Sequence, residues 1–303
     1  MRRSLGFVLI LVSAASFGAM PIFARFAYAS GVDTVTLLFV RFTTATALIA
    51  AVMAVRRISL PRGKALLGLI AMGALGYVGQ SMCYFTALTL ASASLVSLVL
   101  YLYPVFVAGL AAVILKERLT ATKLLALAVA LAGAALTIGF GGRGTPAGVA
   151  AALGAALIYS LYIIGGTRLM RTVAAIPATA VIMASTGAVY AGLVVGRGPV
   201  WPATVRGLLA IVAIAAISTV VATVTFFAGL ERIGPTNASL LSTFEPVVSL
   251  VLAALVLGER MPPLSLLGGA LILAAAIMVA RSELQGPTEH RSLPAAPCVA
   301  ARK

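Results

Sequence analysis

Apolar residues in this chain fall in long unbroken runs, with neither the strict alternation of a strand nor the narrow stripe of a soluble amphipathic helix. Ten such runs occur: Leu5 to Tyr28, Val35 to Val55, Ala65 to Leu88, Ser92 to Leu115, Lys123 to Phe140, Gly148 to Leu169, Ile176 to Val195, Leu208 to Leu230, Asn237 to Leu257 and Leu264 to Ala280. A bilayer core about 30 Å thick is crossed by about 20 residues of helix, so each run predicts a transmembrane helix. A membrane barrel would alternate polar and apolar positions over about ten residues; these runs are apolar on every side. The expected fold class is an all-α integral membrane protein. Arg2 and Arg3 ahead of Leu5 to Val12 imitate a secretion signal, but the run continues to Tyr28. That is longer than the roughly 7–15 residues of a signal h-region, so it reads as the first span.

The gaps between runs carry the charge. With the N-terminus inside, sixteen basic residues fall on the inner side and four (Arg143, Arg197, Arg206 and Arg260) on the outer side. That asymmetry places both termini in the cytoplasm of a bacterial-type inner membrane. A shift of 142 residues superposes Pro104 on Pro246 and Glu117-Arg118 on Glu259-Arg260, with 14 identities in 31 positions between Pro104 and Ala134. Each copy holds five spans, an odd number, so the second lies upside down relative to the first, as in secondary transporters. The expected domains are residues 1–140 and 147–281, one five-helix repeat each. The remainder, 282–303, is a proline-containing tail of mixed charge expected to be disordered and cytoplasmic.

Composition narrows the function classes. The chain is 62% hydrophobic and 10% charged over 303 residues, far from an ordinary soluble domain. Its net charge of +15 is accounted for by topology, so no nucleic-acid partner is expected. Cys83 and Cys298 make no disulfide framework or thiolate metal site, and the single histidine, His290, lies in the tail. With no GxxxxGK[ST] loop either, no cofactor, metal or enzymatic activity is expected.

The segments Pro104-Val105-Phe106 to Lys116-Glu117-Arg118-Leu119 and Glu245-Pro246-Val247 to Gly258-Glu259-Arg260-Met261 resemble the closing segments of the EamA domain. That domain occurs twice in ten-helix members of the drug/metabolite transporter superfamily. The resemblance runs from about Leu5 to Arg281. It departs in the first helix, where many relatives have tryptophan and this chain has Ser16-Phe17-Gly18. It implies transport of amino acids or other small metabolites, commonly driven by an ion or exchange gradient.

Several intramembrane residues could carry that function. Glu245 lies about 12 Å into the ninth helix at 1.5 Å per residue, and an ionised carboxylate in lipid is costly. It reads as a proton carrier or an anchor for an ammonium group, or as a neutral acid fixing the helix beside Pro246; Ser242 and Ser249 share its face at i−3 and i+4. Arg41 could hold a carboxylate, pair with Glu245 or snorkel to the interface, and Arg25 is placed to snorkel. Tyr77, Gln80 and Tyr84 form one face of the third helix, and Ser94, Ser97 and Tyr101 repeat that spacing in the fourth. These faces serve either as helix glue or as the wall of a substrate cavity. The candidate substrate-binding set is Tyr77, Gln80, Tyr84, Ser97, Tyr101, Ser242 and Glu245. Pro21, Pro104 and Pro246 should bend their helices and serve as hinges or as static packing. Gly68, Gly73, Gly76, Gly79, Gly268 and Gly269 suit close helix approach, and the two Glu-Arg pairs suit interfacial anchors or gate latches. The leading expectation is a secondary transporter, an exporter, of small organic metabolites by alternating access, with a small-molecule substrate, the lipid bilayer and a proton or other coupling ion as partners. A non-transporting structural or regulatory membrane subunit is the alternative.

Overall fold

The structure, a computed structural model, describes residues 2–91, 93–139, 143–258 and 262–285. Among these residues, ten helices are long and apolar enough to cross a membrane: Arg3–Tyr28, Thr34–Val55, Gly63–Ala87, Leu95–Ile114, Ala121–Ile138, Pro146–Leu169, Ala175–Arg197, Val205–Ile233, Pro235–Leu257 and Pro263–Ser282. They are numbered span 1 to span 10 in chain order. Local chemistry sets their limits. Asp33, Thr120, Thr145 and Thr204 cap the N-termini of spans 2, 5, 6 and 8 by accepting from backbone N–H groups of the first turn. Gly139, Gly198 and Gly234, at φ 87°, 80° and 78°, end spans 5, 7 and 8 in a backbone region that L side chains rarely adopt. The last helix continues to Gln285, and the tail beyond it lies outside the described residues.

Five spans are irregular inside the membrane. Span 1 divides into Arg2–Gly18 and Met20–Tyr28, span 4 into Ala93–Leu100 and Tyr103–Ile114, and span 9 into Pro235–Ser242 and Glu245–Leu257. Pro21, Pro104 and Pro246 each sit in the first turn of the second segment, where a missing N–H costs least. The prolines thus break their helices where the sequence predicts a bend. Spans 3 and 8 carry a widened π turn, Met72–Tyr77 and Ala216–Val221, which the hydrophobic pattern does not announce. The breaks in spans 4 and 9 correspond under the repeat, which sets Tyr103 on Glu245. The π turns are related by 144 residues, two more than the sequence repeat.

The most extensive helix contacts join spans 5 and 10, 1 and 8, 2 and 7, and 3 and 6. Each joins one repeat to the other. A two-fold axis in the membrane plane that exchanges span n with span n+5 turns the 1–8 contact into 6–3 and maps 2–7 and 5–10 onto themselves. The observed pairs are the set this axis requires, so the molecule is built as two inverted five-helix repeats wrapped around each other.

Lipid supplies no hydrophobic force between helices, so contact has to come from close packing of small residues. Accordingly Ala45, Ala111, Ala126, Ala130, Ala155 and Ala215 are buried, while Val55, Val113, Val195 and Leu255 are exposed around the perimeter. Closest approach falls on glycine: a Cβ on Gly133 would lie 2.7 Å from the Gly268 carbonyl oxygen. Of the glycines singled out from sequence, Gly73 and Gly268 are pressed against backbone of a facing helix, whereas Cβ atoms on Gly79 and Gly269 would make ordinary contacts at 3.7 and 3.6 Å.

Candidate functional site

Between the repeats lies a cavity of about 850 Å³. Its lining runs from Tyr159, Tyr162 and Glu245 inside the bundle to Tyr28, Ile138 and Leu257, which end or nearly end their helices on one side. The cavity therefore reaches the end of the bundle that carries the loops after spans 1, 3, 5, 7 and 9. Those loops are knitted together: Ala91 pairs with Gly144, the Ala203 N–H donates to the Ser30 carbonyl at 2.8 Å, and Arg197 meets Asp33 at 2.7 Å. Asp33 lies outside the spans. Its partial burial raises its pKa, but hydrogen bonds from Thr36 and Val35 and the Arg197 charge outweigh this and hold it below the ordinary carboxylate value.

The opposite end is closed by contacts between the repeats. Glu117 accepts from Lys123 Nζ at 3.1 Å and from the Thr236 hydroxyl, in the other repeat, at 3.0 Å. Behind it the Tyr103 hydroxyl donates to the Ser239 carbonyl at 3.3 Å. The matching Glu259-Arg260 pair lies outside the described residues.

Six of the chain's eight tyrosines, Tyr28, Tyr77, Tyr84, Tyr101, Tyr159 and Tyr162, line the cavity. Polar aromatic side chains are thus concentrated where an organic solute could be covered and hydrogen-bonded at once. The rings form a chain: Phe42–Tyr77 at 5.2 Å between centroids, Tyr77–Tyr162 at 5.7 Å, Tyr162–Tyr159 at 6.2 Å, Tyr159–Tyr103 at 4.8 Å and Tyr103–Tyr101 at 6.2 Å. At its far end the Tyr101 hydroxyl donates to Glu245 Oε2 at 3.3 Å. Glu245 is half-buried and opens the second segment of span 9, where the positive end of the helix dipole favours a carboxylate.

Of the residues expected from sequence, Tyr77, Gln80, Tyr84, Ser97, Tyr101 and Glu245 all face this one cavity. Ser242 is not among its lining residues and is 1% exposed. The helical i−3 spacing that linked it to Glu245 is interrupted by the break between Ser242 and Glu245. The side chain of Ser94 falls outside what the structure describes. Pro21 and Pro246 line the cavity; Pro104 is buried behind it. At the first break the Gly18 carbonyl accepts from the Ser249 hydroxyl at 2.7 Å, so the other repeat satisfies it.

Arg41 neither snorkels nor pairs with Glu245. Its side chain is turned inward and the residue is 6% exposed. Its Nε donates to the Thr219 hydroxyl at 2.7 Å, and its Nη2 is within 3.3 Å of the Tyr77 hydroxyl and 3.4 Å of the Ser218 carbonyl. Its partners thus come from the π turns of both repeats. Tyr159, Tyr162, Thr223 and Phe226 also line the cavity and were missed from sequence. The crowding of tyrosines toward the middle of spans 3, 4 and 6 is the signal that could have found the first two.

An inverted pair of five-helix repeats around a tyrosine-lined cavity that reaches one end of the bundle is the build of a membrane transporter. The chain belongs to the EamA-like transporter family, whose pattern it matches at residues 4–139 and again at 146–281. It is 25% identical over 280 residues to a Bacillus subtilis (strain 168) protein described as the uncharacterized transporter YcbK, covering 87% of this chain and 88% of that one. It is 30% identical over 253 residues to a Streptantibioticus cattleyicolor protein described as a probable terminal-alkyne amino-acid exporter, covering 80% and 81%. Among solved structures, one titled only as the crystal structure of a protein shares the fold with a TM-score of 0.80 at 26% identity, over 92% of this chain and 98% of that one.

Proposed function

We propose that this transporter is a secondary active exporter of small organic metabolites, amino acids among them, working by alternating access in a bacterial inner membrane with both termini in the cytoplasm. The observation that carries the reading is a cavity of about 850 Å³ walled by both repeats, reaching one end of the bundle while Glu117 and Thr236 join the repeats at the other. Movement of the interleaved helix pairs against one another would part the Glu117–Thr236 contact and narrow the cavity at its open end. The cavity wall (Tyr77, Gln80, Tyr84, Ser97 and Tyr101) binds the solute, Glu245 carries the coupling proton, and the broken spans at Pro21, Pro104 and Pro246 supply the hinges. The relative described as an amino-acid exporter supports the substrate class, and the basic asymmetry of the loops supports the orientation.

Purified protein in liposomes, loaded with a labelled amino-acid mixture, tests this. Transport should be accelerated by a pH gradient, and Glu245→Gln should abolish gradient-driven accumulation while leaving exchange of solute for solute. A folded Glu245→Gln protein that still accumulates solute on a pH gradient would show the carboxyl to be structural. Absence of any transport by purified protein would favour a non-transporting subunit.

A further inference from the structure

Arg41 sits in the interior of span 2, where a guanidinium costs several kcal/mol unless compensated. Its compensation is incomplete. Nε and Nη2 are directed at the Thr219 hydroxyl, the Tyr77 hydroxyl and the Ser218 carbonyl, and the group lies 4.9 Å from the Phe42 ring centroid. All three oxygen acceptors are neutral, and no carboxylate lies within ion-pair distance of Arg41 among the described residues. Nη1 has no protein partner among them either. Glu245, the acid that lines the same cavity, is engaged by Tyr101 instead. The cavity thus presents one buried cation with spare donors, held rigidly by one hydroxyl from the π turn of each repeat.

We infer that Arg41 is the carboxylate-binding residue of the cavity: the substrates are organic acids whose carboxylate docks on the Nη1 side of Arg41 and whose body lies along the tyrosine chain. This rests on the transporter reading and names the chemical group its substrates must carry. A guanidinium offers donors in a planar fork that matches a carboxylate, and two of its nitrogens are already fixed by protein, so little orientation is lost on binding. The incoming charge would supply what Thr219, Tyr77 and Ser218 cannot. Because the two π turns belong to different repeats, the carboxylate would dock where Arg41 itself bridges the repeats.

The test uses matched pairs: leucine and leucinamide, phenylalanine and phenylalaninamide, 3-phenylpropionate and 3-phenylpropionamide. Binding to purified protein is measured calorimetrically, and inhibition of counterflow in liposomes is measured in parallel. At least one acid should bind the wild type with its amide about tenfold weaker or worse, the size expected for losing a charge-assisted hydrogen bond. Arg41→Gln should bring that ratio close to one, and Arg41→Lys, which keeps the charge but not the fork, should fall between. The wild-type comparison needs no variant, so it stands if Arg41→Gln does not fold. The inference is overturned if no acid binds, if every acid and amide bind alike, or if folded Arg41→Gln keeps the wild-type ratio. Transport of amides or amines without acids would overturn it while leaving the transporter reading intact.

Discussion

The joint between spans 5 and 10 offers two adjacent glycines with opposite surroundings. A Cβ on Gly268 would lie 2.5 Å from the Gly133 carbonyl oxygen and from Thr137 Oγ1, and 2.6 Å from Thr137 N. Ordinary carbon–oxygen approach is about 3.3 Å or more, so Gly268→Ala must drive the spans apart by about 0.8 Å. That disturbs the hydrogen bond from Ser265 to the Thr137 carbonyl, 3.1 Å long, and overpacking of this kind costs about 1–3 kcal/mol. Helix propensity returns up to about 1 kcal/mol, leaving the variant less stable by up to about 2 kcal/mol. At Gly269 the same methyl would meet Val247 at 3.6 and 3.7 Å, ordinary contact, so Gly269→Ala keeps the propensity gain and should be neutral or more stable by about 0.5–1 kcal/mol. Unfolding titrations with dodecyl sulfate in mixed micelles, run on wild type and both variants, read the difference. Equal stability of the two variants, or a loss at Gly269 as large as at Gly268, would refute the packing argument and with it the close joint between the repeats.

Orientation is open to direct labelling. In a background lacking Cys83 and Cys298, cysteines at the exposed positions Val200 and Leu60 should react with an impermeant reagent from the periplasm only at residue 200, and the reverse pattern would invert the topology. Asp33 both caps span 2 and meets Arg197. Asp33→Asn should be nearly neutral because asparagine caps as well, whereas Asp33→Ala should cost about 1 kcal/mol. Because the Asp33 pKa is lowered by folding, its charge contribution is present above the unfolded-state value and is lost as the pH falls through the folded-state value. Any stability gap between wild type and Asp33→Asn should therefore close in acid, and a gap that widens on acidification would contradict the assignment.

Length and hydropathy were enough to place the ten spans within a few residues, because a bilayer admits a crossing segment of an all-α protein only as a long apolar helix that satisfies nearly all of its own backbone groups. The repeat was legible for a related reason: Pro104 and Pro246, with the Glu-Arg pairs thirteen residues after each, recur where composition alone would not put them. Helical spacing also brought Tyr77, Gln80 and Tyr84 onto a common face without help from the fold. Spacing failed at Ser242, since it holds only while a helix is continuous and span 9 is broken ahead of Glu245. The direction of Arg41 was undecidable from its own neighbours. An arginine in a span either snorkels or turns inward, and what turns it inward is Thr219, 178 residues away, on a π turn that hydropathy does not register. The cavity itself, with Tyr159, Tyr162 and Thr223 in its wall, exists only because spans 1 and 8, 3 and 6, 2 and 7, and 5 and 10 pack across the repeats. Hydropathy tells each helix that it belongs in lipid; the small residues and broken segments of its partner decide which face it buries.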